Sequence, residues 1–148
     1  MLRFLSRFMV MVMIDIMTNF DIVGCFSEEI IAKLGLNIEV GTEILLSMPT
    51  LEHIKKDHPE IIGDHKAIIA DIIAAPLGVS RRKKDGSIGF FKDHENGIQY
   101  FLELSVRPSN IGEYFVRTLH HIQIERVEKR VKKGAILLLT NEKIPAII

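Results

Sequence analysis

The sequence predicts a single α+β domain, with N-terminal helices packed on one face of a roughly four-stranded antiparallel sheet and a further helix before the last strand. Three observations carry this. The chain has 148 residues with 47% apolar content, which suits one core. Up to Pro76, apolar residues recur at helical spacing behind residues that cap helices. Beyond Pro76 the apolar period falls to two, the mark of half-buried strands. Helices followed by meandering strands give the α+β class, and the other sheet face is left for solvent or a ligand.

The elements follow in order. Met1 to Phe20 is strongly apolar, and Phe8 to Ile14 is unbroken. Arg3 and Arg7 precede that run, in the manner of a signal peptide, yet Asp15 ends it and no small-x-small cleavage pattern follows. It is also shorter than the ~20 apolar residues a membrane span requires. Met1 to Phe20 therefore reads as a buried strand or helix. Residues 1–22 are set apart as an apolar N-terminal segment, and residues 23–148 form the domain.

Ser27 reads as an N-cap, with Glu28 and Glu29 in a first turn where carboxylates suit the helix dipole. Ile30, Ile31 and Leu34 form its apolar stripe, and Gly35 its stop. A seam is expected near Glu43 to Pro49. Thr50 reads as the cap of a second helix, which Pro59 ends. There Leu51, Ile54 and His58 share a face, while His53, Lys56 and Asp57 point elsewhere. Asp64 reads as the cap of a third helix running to about Ala74, with Ile68, Ile69, Ile72 and Ile73 buried.

Asp85-Gly86 reads as a turn into a strand over Ser87 to Lys92, and Asp93 to Gly97 as a hairpin loop. From Ile98 to Val106 apolar and polar residues alternate, which predicts a half-buried strand. Another strand is expected from Glu113 to about Leu119. Ile124, Val127 and Val131 mark an amphipathic helix that stops at Gly134, and Ala135 to Thr140 reads as the closing strand.

Charge and cysteine content narrow the function classes. Nineteen basic residues balance nineteen acidic ones, so no global field steers the chain to nucleic acid or anionic lipid. Any nucleic-acid role must rest on local patches. The one cysteine, Cys25, allows no intramolecular disulfide and no Cys-rich metal site, which suits a reducing, cytoplasmic setting. There is no glycine-rich phosphate loop, nucleophile elbow or Cys-x-x-Cys pair.

The histidines are the natural proton carriers near neutral pH. His53 and His58 flank one helix end, but a spacing of five sets them roughly 140° apart at ~100° per residue. Taken singly, each reads first as a partly packed ring and only second as an acid–base group. His120-His121 is expected where a strand meets a helix, in turn and capping roles. The run Arg81-Arg82-Lys83-Lys84 sits in a turn, where it suits phosphate contact or keeps a sheet edge soluble. Arg126, Lys129, Arg130, Lys132 and Lys133 read as a solvated helix face, with Glu125–Lys129 and Glu128–Lys132 as ion pairs. Glu103, Arg117, Thr118 and Thr140 are polar groups on or near strands, where a rigid sheet can present them.

The stretch Thr50-Leu51-Glu52-His53-Ile54-Lys55-Lys56-Asp57-His58-Pro59-Glu60 resembles the His-x-x-x-x-His-Pro helix of small phage-associated nuclease domains. The helix end Ile72-Ile73-Ala74-Ala75-Pro76 and the strands Ile98 to Leu104 and Tyr114 to Thr118 fit the same comparison. Together they resemble the phage branch of the barnase–EndoU–colicin–RelE superfamily, over about Val23 to Thr140.

The resemblance implies a metal-independent endoribonuclease of the toxin or phage-effector kind, with no cofactor. Its partners would be an RNA substrate and an immunity or antitoxin protein, with no membrane. The 2′-hydroxyl of RNA attacks, a base takes its proton, an acid protonates the leaving 5′-oxygen, and cations hold the charged phosphorane. Carried onto this chain, the resemblance makes His53 and His58 the acid–base candidates and Lys56 a phosphate contact. It makes Arg117 and Thr118 phosphate ligands and Thr140 the last strand's hydroxyl. Arg81, Arg82, Lys83 and Lys84 would supply a local cationic groove. Two alternatives stay open: a non-catalytic RNA- or protein-binding module on the same fold, and a metal-dependent phosphohydrolase using His53, His58 and His65.

Overall fold

The computed structural model describes residues 20–94, 100–110 and 112–139. It contains four helices and one seven-stranded mixed sheet. The strands are β1 (Phe20–Cys25), β2 (Glu43–Ser47), β3 (Gly78–Arg81), β4 (Ile88–Asp93), β5 (Tyr100–Pro108), β6 (Tyr114–Gln123) and β7 (Leu137–Leu138). The helices are α1 (Glu28–Leu34), α2 (Met48–Asp57), α3 (His65–Ala74) and α4 (Ile124–Lys132). Across the sheet the order is β1-β2-β6-β5-β4-β3-β7. Only the β2–β6 pairing is parallel among the described strands.

The α+β class stands, but the expected four-stranded antiparallel sheet does not. Strands β1, β2 and β3 are additions, and β1 and β2 interleave with the first helices. Each is only four to six residues long and pairs with a partner far along the chain or across a loop. The segment Glu43 to Pro49 is no seam: Glu43–Ser47 is β2, buried from Ile44 to Leu46 inside the sheet. The apolar run Phe8 to Ile14 lies outside the described residues.

Capping chemistry sets the helix starts. The Ser27 hydroxyl accepts from the Ile30 amide at 3.2 Å, and Gly35 ends α1 in the left-handed conformation at φ 63°. Asp64 caps α3 by accepting from the amides of Lys66 and Ala67. The cap of α2 is Ser47, which accepts from the Thr50 amide at 3.3 Å, and not Thr50 itself. Pro49 is tolerated there because a first-turn residue needs no helical N–H partner.

Helices α1, α2 and α3 cover one sheet face. They bury Ile30, Leu34, Leu51, Ile54, Ile69, Ile72 and Ile73 against Ile44, Phe90, Leu102, Leu104 and Leu119. Gly24 allows this closeness, since a Cβ there would lie 2.5 Å from Ile73 Cγ2. Helix α4 lies on the opposite face. Its Val127 packs with Phe91, Phe101, Ile122 and Ile136 in a second, smaller cluster. The closing strand β7 is short, and Thr140 lies outside the described residues. Among those residues, no helix is long and apolar enough to cross a membrane.

Candidate active site

Beside α4, a cavity of about 500 Å³ opens over the sheet face that α1–α3 leave uncovered. Its floor is a cross-strand row of small residues, Ser80, Gly89, Ser105 and Thr118, paired in turn from β3 to β6. A Cβ at Gly89 would lie 2.5 Å from the Ser80 hydroxyl and 3.0 Å from the Phe91 ring.

The next row places Glu103 of β5 opposite His120 of β6. Residues directly opposite across a ladder share a face. Glu103 Oε1 lies 3.3 Å from His120 Nε2 and 3.5 Å from Arg130 Nη1 of α4. Burial pushes the Glu103 carboxyl up, but the hydrogen bond and charge of His120 outweigh it, helped by Arg130 and Arg126. The net direction is down, so Glu103 is held as a carboxylate.

A β-bulge assembles the rest. Between Ser105 and Val106 the register shifts, so that Ser105 faces Thr118 while Val106 faces Val116. Arg117 is the extra residue. Neighbours on a regular strand point to opposite faces, yet here Arg117 and Thr118 both line the cavity. The same shift brings His120, not Leu119, opposite Glu103. His121 pairs with Leu102 and takes the helix-packed face. Burial lowers its pKa, with repulsion from His94, His58 and His120 adding to the effect and Glu60 opposing it. The pair His120-His121 thus sits inside β6, and not at a strand–helix junction as its sequence suggests.

The other expected residues fall into three places. Helix α2 ends at Asp57, and His58 caps it with non-helical dihedrals. That frees the His58 ring from the 140° relation to His53. Its centroid lies 6.4 Å from that of His120, and its Nδ1 lies 3.4 Å from Glu60 Oε1. His53 stays on the exposed side of α2, 3.2 Å from Asp57, and Lys56 is exposed on the same helix. Neither lines the cavity.

Among the four basic residues of the next run, Arg81 and Arg82 line the cavity, while Lys83 and Lys84 lie in the exposed turn beyond. Arg81 Nη1 donates to the carbonyls of Leu34 and Gly35 at the end of α1, both at 3.1 Å. Arg82 lies 3.8 Å from Asp85, whose carboxyl is lowered chiefly by hydrogen bonding from Ser87. Thr140 cannot be placed, lying outside the described residues.

A metal centre on His53, His58 and His65 finds no support in this arrangement. The buried His65 directs Nε2 to the His58 carbonyl at 3.2 Å, and a carbonyl only accepts, so that nitrogen carries the proton. Among the described residues no group of three or more His, Cys, Asp or Glu is arranged to hold an ion.

From sequence, Glu103 is a polar strand position, whereas His120 reads as a turn residue and Arg130 as part of a solvated helix face. Their convergence depends on the bulge and on the packing of α4, neither of which leaves a local pattern. In comparisons with known proteins, no curated protein and no solved structure matches the chain. A family model described as "phage-Barnase-EndoU-ColicinE5/D-RelE like nuclease3" matches residues 21–129, which contain β1 apart from its first residue, β2 to β6, Glu103, Arg117, Thr118 and His120. The chain belongs to this family of phage-associated, nuclease-like domains.

Proposed function

We propose that the protein is a metal-independent endoribonuclease, and that cleavage runs in the cavity over β5 and β6. The observation that carries this reading is the Glu103–His120 pair, flanked by Arg130 and by the bulge-borne Arg117. Membership of a nuclease family supports it. Glu103 takes the proton of the 2′-hydroxyl. The freed oxygen attacks phosphorus, and His120 protonates the 5′-oxygen as the P–O5′ bond breaks. The products are a 2′,3′-cyclic phosphate and a 5′-hydroxyl. Arg117, Arg130 and the Thr118 hydroxyl hold the non-bridging oxygens while their charge grows. In the free protein Glu103 and His120 bond to each other, and the scissile phosphate enters between them.

Of the two histidines on the α2 segment, His58 serves this site by backing His120, and His53 and Lys56 take no direct part. Arg82 contributes at the rim with Lys83 and Lys84 beyond it, whereas Arg81 holds α1 in place. A neutral net charge is compatible with this chemistry because the cations are gathered locally.

The test is cleavage of total RNA by purified protein in excess EDTA, with the product ends identified. The expected outcome is 2′,3′-cyclic phosphate ends, and no cut at a site carrying a 2′-deoxyribose. Cleavage that stops in EDTA would favour a metal-dependent phosphohydrolase. RNA binding without cleavage in any buffer would favour a non-catalytic module.

A further inference from the structure

Helix α4 carries more positive charge than its packing explains, and that charge is sorted by side. At ~100° per residue, Val127 and Val131 define the face turned to the sheet. Arg126, Arg130 and Lys133, the last one residue past the helix end, fall within about 60° of one another on the side of Arg130, which lines the cavity, while Lys129 points outward between the two flanks. Glu125, Glu128 and Lys132 fall on the other flank. A helix charged only for solubility would mix the signs and pair them along its length. Among the described residues α4 forms no ion pair within itself, and Arg130 reaches across to Glu103 instead.

Arg126 points the same way. It sits in the first turn, where a cation opposes the helix dipole. Local helix stability would place an acid there, so its location is explained by what lies beside it. Its charge acts on Glu103 in the cavity. Lys132 and Lys133, by contrast, suit the dipole at the C-terminal end, so only Lys133's flank assigns it a further role.

We propose that Arg126, Arg130 and Lys133 form a phosphate track, which holds single-stranded RNA beyond the scissile phosphate. This inference rests on the ribonuclease reading of the cavity. From Arg126 to Lys133 the helix rises about 10 Å, more than one phosphate can occupy. The track continues from the cavity edge at Arg130, so the strand leaves the reacting centre along α4. Single-stranded RNA is the fitting occupant because the floor beneath the centre is one cross-strand row of small residues, and a strand can lay one nucleotide at a time across it. Arg126 lies inside the family match, which ends at residue 129, and Arg130 and Lys133 lie beyond it.

The experiment uses a fluorescent 2′-O-methyl RNA decamer, which lacks the attacking hydroxyl and cannot be cut, and follows anisotropy across a salt series. Arg126→Ala/Lys133→Ala is expected to weaken binding and to flatten the slope of log K against log salt by about 1.4, at ~0.7 for each lost phosphate contact on a single strand. Lys132→Ala, on the opposite flank, is expected to leave the slope unchanged. Circular dichroism checks that each variant keeps its helix. An unchanged slope in the double variant overturns the track, as does an equal loss in Lys132→Ala. Tighter binding of a duplex than of the decamer also overturns it, and so does failure of the parent to bind. A parent that binds through α4 but cuts no RNA would remove the ribonuclease reading and keep the track; a parent that cuts RNA, with the slope unchanged in the double variant, would do the reverse.

Discussion

The two faces of the sheet are built from the same strands and serve different ends. On the helix-packed face, β5 contributes Leu102 and Leu104, and both are fully buried beneath α1–α3. On the other face the same strand offers Phe101, Glu103 and Ser105. Phe101 is covered by α4, while Glu103 and Ser105 open into the cavity. Under the proposed reading, one strand divides its residues between stability and chemistry by alternation alone. Substitutions on the first face should act through folding, and those on the second through the reaction.

The largest stability effect expected is on the packed face. Phe90 is fully buried among residues of that core, and Phe90→Ala should cost about 3–5 kcal/mol in urea unfolding. Any cleavage lost would return to the extent that the remaining folded fraction is restored by stabilising conditions. A loss well under ~1 kcal/mol would mean that this face is less tightly packed than the geometry describes.

Two arginines sharpen the contrast next. Arg81→Ala removes donors to the carbonyls ending α1, and should lower stability by about 1–2 kcal/mol with cleavage per folded molecule retained. Arg117→Ala should do the opposite. Its stability should stay within ~0.5 kcal/mol of the parent, with cleavage reduced by about 10²-fold. Reversal of either pattern would contradict the separate roles given to these two cavity arginines, one holding α1 and one holding phosphate.

The smallest effect expected is a pH dependence. The folded pKa of His121 lies below its ordinary value of 6.5, mainly through burial. As pH falls, the unfolded chain takes up this proton first. Its contribution is therefore complete above about 6.5 and drains away as pH falls through the folded value. Glu103, also lowered, keeps its contribution until the pH falls below the ordinary carboxylate range. Urea midpoints at pH 7 and pH 5 should accordingly converge in His121→Gln more than in the parent.

Parts of this arrangement are legible in the residues. The caps Ser27 and Asp64, the stop at Gly35 and the alternation around Leu102 and Leu104 are local signals, and they correspond to α1, α3 and β5. Strands β1 and β2 are not legible, because a stretch such as Ile44-Leu45-Leu46 has no alternation and owes its conformation to partners remote in sequence. The site is hidden for a related reason. Counting back from the Pro108–Tyr114 pair without a bulge would set Glu103 against Leu119. One extra residue, Arg117, changes that partner to His120. The helix-borne His-x-x-x-x-His-Pro motif is conspicuous in sequence, but it delivers only His58 to the neighbourhood of His120.

The most direct test of the account is the cleavage rate of Glu103→Gln in excess EDTA, measured beside its thermal unfolding. A rate reduced by about 10²–10⁴-fold is expected in a protein that still unfolds cooperatively, because the amide keeps the shape of the carboxylate and cannot take the 2′-hydroxyl proton. Undiminished cleavage by folded Glu103→Gln would contradict it and move the reaction away from the open face of the sheet.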